Sequence, residues 1–143
     1  MNELLNVEHL SISFHTYNGE VQAVRDASFQ LGRGEVLAVV GESGSGKSVM
    51  MQTILKLTPC ELKGGRIEFD GKDITDYTDR QMQEIRGSQI GIIFQDAMTS
   101  LNPTMKIGRQ ITESLLRHQK LTRAEAKKKA LELLRQVGIN NPE

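Results

Sequence analysis

Gly41-Glu42-Ser43-Gly44-Ser45-Gly46-Lys47-Ser48 is the stretch whose reading decides the fold. It fits G-x-x-x-x-G-K-[ST], the spacing of a phosphate-binding loop, or P-loop. Val36-Leu37-Ala38-Val39-Val40 precedes it, an apolar run that reads as a buried strand. Residues 49–57 follow, with Met50, Ile54 and Leu57 at helical spacing. Strand, glycine loop and helix together suit an anion. Loop N–H groups and the helix N-terminus face it, and the helix dipole favours negative charge there. Glycines let the backbone approach and turn where a Cβ would clash. Lys47 would reach the β- and γ-phosphates, and the Ser48 hydroxyl would complete a Mg²⁺ shell.

Upstream, residues 3–14 alternate loosely, with Leu5, Val7, Leu10, Ile12 and Phe14 apolar, so a strand is expected. Asn18-Gly19 is a hairpin signal. A second strand is expected over 21–31, with Val21, Ala23, Phe29 and Leu31 inward. Gly32-Arg33-Gly34 is a turn.

Downstream, Thr58-Pro59 stops the helix. Lys63-Gly64-Gly65 reads as a loop, 66–69 as a short strand, and Asp70-Gly71 as a turn. Thr78-x-x-Gln81 is a capping box for a helix over about 79–86, with Gly87 as its C-cap. Ile90-Gly91-Ile92-Ile93-Phe94 is apolar throughout and predicts a strand buried on both faces. Residues 95–103 form a polar, breaker-rich loop. Ile107, Ile111 and Leu115 mark a helix over about 105–119. Thr122-x-x-Glu125 is a second capping box. It opens a helix over about 123–137 with the stripe Ala126, Ala130, Leu133, Leu134 and Val137, ending at Gly138. Lys127-Lys128-Lys129 reads as its solvated face.

The composition narrows the function classes. Lys+Arg and Asp+Glu both number 18, so the formal charge is zero, which disfavours a nucleic-acid binder driven by bulk charge. Cys60 is the single cysteine, which rules out an intrachain disulfide and suits a reducing compartment. His9, His15 and His118 are scattered, so a structural zinc site is not expected. No apolar run approaches the ~18 residues that would span a bilayer.

The P-loop, Gly65-Arg66-Ile67-Glu68-Phe69-Asp70-Gly71, and Ile92 to Pro103 together resemble the nucleotide-binding subunit of an ATP-binding-cassette (ABC) transporter. Phe94-Gln95-Asp96-Ala97-Met98-Thr99-Ser100-Leu101-Asn102-Pro103 is similar to the oligopeptide/dipeptide (and nickel) importer group. So is Ala23-Val24-Arg25-Asp26 ahead of Gly34-Glu35. The resemblance runs from about Leu4 onward. It implies an α/β fold: a P-loop NTPase core, an N-terminal antiparallel β-subdomain and the start of a helical subdomain. Residues of about 1–95 would form the β-subdomain and P-loop core, and about 96–143 the Q-loop and part of the helical subdomain.

The resemblance also implies roles. Gly41, Glu42, Ser43, Gly44, Ser45, Gly46, Lys47 and Ser48 match the Walker A loop, which holds ATP. Gln95 matches the Q-loop glutamine, which reaches Mg²⁺ together with Ser48 and senses the γ-phosphate. Phe14 best matches the aromatic that stacks on adenine, with Tyr17 the alternative. Implied partners are transmembrane permease subunits, a second nucleotide-binding subunit and, indirectly, an extracytoplasmic solute-binding protein, with no nucleic acid. The implied location is the cytoplasmic face of the plasma membrane. The chain departs from the family pattern in lacking the signature segment, Walker B strand, catalytic Glu and switch His. An N-terminal fragment that binds MgATP without hydrolysing it is therefore expected. Other readings are a nickel or small-solute importer, a cassette ATPase without a membrane partner, and a different P-loop enzyme. A GTPase is disfavoured because the chain has no Asn-Lys-x-Asp.

Overall fold

The structure is a computed structural model that describes residues 3–96 and 100–142. The chain forms two compact units, one up to Gln83 and the other from Glu84 onward. In chain order the elements are β1 (Glu3–Thr16), β2 (Gly19–Gly32), α1 (Lys47–Ile54), β3 (Glu61–Phe69), β4 (Lys72–Asp73), α2 (Asp79–Ile85), α3 (Ile107–His118) and α4 (Arg123–Gln136).

The first unit is built on an antiparallel sheet of order β2-β1-β3-β4. The expected turns form, the first with a shift: Thr16 pairs with Gly19, so the hairpin loop is Tyr17-Asn18 and Gly19 opens β2. At the second turn Asp70 and Gly71 take positive φ (49° and 73°), the geometry that joins twisted strands through two residues. The core holds Val7, Leu10, Ile12, Ile67, Ile74 and Met82, all at most 1% exposed. Met50, Ile54 and Leu55 are also buried.

Two expectations about the sheet need correction. Lys63-Gly64-Gly65 lies within β3, which begins at Glu61. Gly65 makes this possible, because its φ is +106° and a Cβ there would lie 2.6 Å from the Leu10 Cα. The strand passes too close to β1 for a side chain. In β2 the buried residue is Val24, while Val21 is exposed and Ala23, Phe29 and Leu31 are half-buried. The cause is four register shifts between β1 and β2, two of which flank Leu10 and set the phase of Val24. Val7 pairs with Phe29 and Leu10 with Ala27, so β1 gains a residue around His9. Ile12 then pairs with Val24, so β2 gains one around Asp26. Each extra residue inverts the inward–outward alternation beyond it.

The two apolar runs read as buried strands, 36–40 and 90–94, are not strands. Val36 and Val40 are 96% and 91% exposed, and Ile93 is fully exposed. Ile90 makes only an isolated bridge to Arg86. A buried parallel strand needs a neighbour on each edge, and the sheet described here is antiparallel throughout.

Two helices, α2 and α4, start at the expected capping boxes, while α1 begins at Lys47 and α3 at Ile107. Thr78 and Gln81 form a capping box at α2, with the Thr78 N–H donating to the Gln81 Oε1 at 2.9 Å. Thr122 and Glu125 form another at α4. α1 stops at Ile54, before Leu57, because Lys56 turns left-handed (φ +50°) and the Leu57 N–H returns to the Gln52 carbonyl. In the second unit Leu115, Ala126 and Ala130 form a small core with Ile111 and Leu121 against it. Gly138 (φ +82°) ends α4, and its N–H reaches the Arg135 carbonyl. Leu133 and Val137 of the expected stripe are exposed (40% and 73%), because α3 covers only the alanine side.

Candidate functional site

The loop from Gly41 to Ser48 runs directly into α1, whose N-cap is Gly46 at φ +89°. Gly44 has φ +82°. Both values lie in the left-handed region, which costs glycine little and other residues about 1–2 kcal/mol. No side chain caps α1, so its first-turn N–H groups are left for another acceptor. The Gly46 carbonyl accepts from the Met50 N–H at 2.9 Å and starts the helix. Ser45 N–H to Glu42 carbonyl (3.3 Å) closes the turn.

Lys47 organises the loop's interior. Its Nζ donates to the Gly41 carbonyl at 2.7 Å, the Glu42 carbonyl at 2.5 Å and the Ser45 Oγ at 3.2 Å. The loop is thus curled around a cation, with α1's positive end beside it. Ser48, the second residue of α1, is exposed, and so are Glu42, Ser43 and Ser45. An ammonium, a hydroxyl and unclaimed helical N–H groups make a donor set that suits a polyphosphate and its hydrated cation.

The remaining expected residues are placed as follows. Phe14 is half-buried on β1 opposite Val21, and Tyr17 is fully exposed at the hairpin tip. Gln95 belongs to the second unit and is exposed. Of the loop that follows it, Ala97, Met98 and Thr99 lie outside the described residues. The loop's later part is fastened to α3 by Gln110. The Asn102 N–H donates to its Oε1 at 2.9 Å, and its Nε2 donates to the carbonyls of Asn102 and Met105, each at 2.9 Å. Nothing in the sequence pattern marked Gln110, since its contacts reach eight residues back through backbone atoms.

A second missed feature sits beneath the loop. A Cβ on Gly46 would lie 2.5 Å from the Ala23 carbonyl oxygen and 3.3 Å from the Val24 Cγ2. β2 therefore supports the last glycine of the loop. The one available signal was the Ala23-Val24 pair itself, and the bulge hid which of the two points inward.

Charge around the sheet is paired at the surface. The Thr75 hydroxyl and N–H, then Arg66, hold the Asp73 carboxyl down at about 2. Lys63 bridges Glu20 at 3.2 Å and Glu61 at 2.9 Å. Among the described residues no helix is long and apolar enough to cross a membrane.

Comparison with known proteins gives a consistent result. The sequence model of the family described as ABC transporter matches residues 24–143. The chain is 56% identical to the oligopeptide transport ATP-binding protein OppD of Bacillus subtilis, over all of this chain and 41% of that protein. It is 49% identical to the dipeptide transport ATP-binding protein DppD of Lactococcus lactis, over 99% of this chain and 41% of that one. The chain therefore spans about two-fifths of the length of these relatives. Among solved structures, a dimeric ATP-binding cassette in a post-hydrolysis state, bound to ADP and Pi, superposes with a TM-score of 0.81. It is 23% identical, and the match covers 96% of this chain and 59% of that one, so it speaks for the fold. A cassette protein of Clostridium perfringens, part of the complex cbiONQ, superposes at 0.67 with 30% identity, covering 98% of this chain and 52% of that one.

Proposed function

Because the chain belongs to the ABC transporter family, we propose that it is the nucleotide-holding part of an ATP-binding subunit that energises the import of peptides. The observation that carries this reading is the loop around Lys47: left-handed glycines, an uncapped helix start and an ammonium held by backbone carbonyls. The names of the relatives, oligopeptide and dipeptide transport ATP-binding proteins, support peptides as the solute class.

In this reading the N–H groups of Gly44 to Ser48 and the Lys47 Nζ hold the β- and γ-phosphates of ATP. Lys47 exchanges its carbonyl partners for phosphate oxygens, which bind an ammonium more strongly because they are charged. Ser48 would offer its hydroxyl to Mg²⁺, Gln95 keeps the metal-reaching, γ-phosphate-sensing role that the family resemblance implies, and Phe14, or Tyr17, would stack on adenine. The bound Mg²⁺ supplies neutralisation of phosphate charge. The chain's own residues provide position and electrostatics, and none of them takes the role of a base for water. Permease subunits, a second nucleotide-binding subunit and a solute-binding protein are the proposed partners, at the cytoplasmic face of the membrane. The 95–103 loop and α3 are the face proposed to meet the permease.

Titration calorimetry with MgATP tests the reading. Saturable binding that Lys47→Ala abolishes is the expected result. Binding that survives Lys47→Ala unchanged would overturn it.

A further inference from the structure

The phosphate loop has no side-chain cap of its own at α1, yet Gly46 takes one defined left-handed conformation. A Cβ on Gly46 would meet the Ala23 carbonyl oxygen and the Val24 Cγ2 first, so β2 closes the space on that side of the glycine. Val24 is 9% exposed and out of phase with Ala27, Phe29 and Leu31, the half-buried residues at the other end of β2. It points inward because the β2 bulge adds a residue between Ala27 and Val24. That bulge is pinned from three sides. The Asp26 N–H donates to the Ser11 Oγ at 3.1 Å, the His9 N–H donates to the Ser28 Oγ at 2.8 Å, and the His9 Nδ1 lies 2.6 Å from the Asp26 Oδ1.

We propose that Val24 is a positioning residue for the phosphate loop, set under Gly46 by the paired bulges at His9 and Asp26. The Ala23 carbonyl limits how far the Gly46 backbone can move toward the sheet. The Val24 side chain fills the space beside it. Together they hold the start of α1, and with it the N–H groups of Lys47 and Ser48, at a constant height above the sheet. Val24 thereby acts on loop order without touching a ligand. The proposal rests on reading Gly41 to Ser48 as the nucleotide loop, but its mechanical part can be measured without nucleotide.

The test is amide hydrogen exchange across Gly44 to Val49 in the ligand-free chain, paired with calorimetric titration of MgATP. The variants are Val24→Ala, the milder Val24→Cys, and Val24→Ile, which keeps the Cγ2 branch. Ile67→Val is the control, a truncation at another buried site of the same sheet. Local opening should accelerate exchange of those amides about tenfold in Val24→Ala relative to Ile67→Val, after allowance for global stability, with Val24→Cys between and Val24→Ile near the parent. MgATP affinity should fall by a similar factor, about tenfold. Exchange at Gly44 to Val49 that is the same in Val24→Ala and Ile67→Val would overturn the proposal, even if the parent chain binds MgATP. Loosened exchange in a chain that binds no MgATP would instead leave the positioning role standing and remove the nucleotide reading.

Discussion

The Nδ1 of His9 lies 2.6 Å from the Oδ1 of Asp26, and both residues are left-handed, at φ +51° and +50°. They sit on neighbouring strands at two bulges of opposite effect on register. Their side chains are 80% and 73% exposed, so the contact contributes little by itself. The backbone conformation matters more. Asp tolerates the left-handed region and a β-branched residue does not. Asp26→Val should destabilise by about 1–2 kcal/mol, and Asp26→Gly by much less, because glycine removes the strain as well as the pair. Urea unfolding midpoints of the two variants check this ordering.

Gly65 and its neighbour Gly64 make a matched pair. A Cβ on Gly65 would lie within 2.6–2.8 Å of backbone atoms of Leu10, Glu8 and His9, and none of these is a flexible side-chain end. A Cβ on Gly64 would meet nothing within 4 Å. Gly65→Ala should therefore cost about 2 kcal/mol or more through forced separation of β1 and β3. Gly64→Ala should stay within about 0.5 kcal/mol. Thermal melts of the two proteins side by side give the comparison.

The capping box of α4 predicts a pH effect. The Thr122 hydroxyl, then its N–H, hold the Glu125 carboxyl below its ordinary value. A carboxylate lowered in the folded state adds stability above its unfolded pKa and loses it as pH falls through the folded one. The contribution is thus complete at neutral pH and lost on acidification below the ordinary carboxylate range. Thr122→Ala should cost about 1 kcal/mol at pH 7. Its difference from the parent should shrink toward acid pH, which melts between pH 7 and 3 would show. An unchanged difference at low pH would mean that the Glu125 half of the box contributes nothing.

Steady-state phosphate release by the 143-residue chain should stay at background at saturating MgATP, because none of its residues is assigned as a base. Turnover that Lys47→Ala abolishes would show that the chain hydrolyses ATP itself.

The unpaired runs predict association. Val36, Val40 and Ile93 are each more than 90% exposed, in segments with strand-forming composition. Exposed apolar runs of this kind favour association with other chains. Light scattering should show a mass that rises with concentration, and Val40→Lys should lower it. A monomer at all concentrations would contradict this.

Most of what was legible in the sequence is local. The capping boxes Thr78–Gln81 and Thr122–Glu125 formed as read, because each is a contact between residues three apart. The turns near Gly19 and at Asp70-Gly71 formed because glycine takes positive φ cheaply (+115° and +73°) and aspartate tolerates it. The loop at Gly41 to Ser48 is local in the same sense, since its glycines and Lys47 meet within six residues. Alternation misled at β2, where Val24 rather than Val21 is buried, because the bulges depend on the pairing of β1 with β2 and leave no period of their own.

The sequence alone therefore determined the capped helix starts, the turns and the local form of the glycine loop, which are interactions between near neighbours along the chain. Tertiary structure alone decided burial: that Val24 lies under Gly46, that Gly65 is pressed against Leu10, and that Val36 to Val40 lies open. Apolar character states only that a side chain gains by leaving water. Whether it does so depends on a surface elsewhere in the chain arriving to cover it.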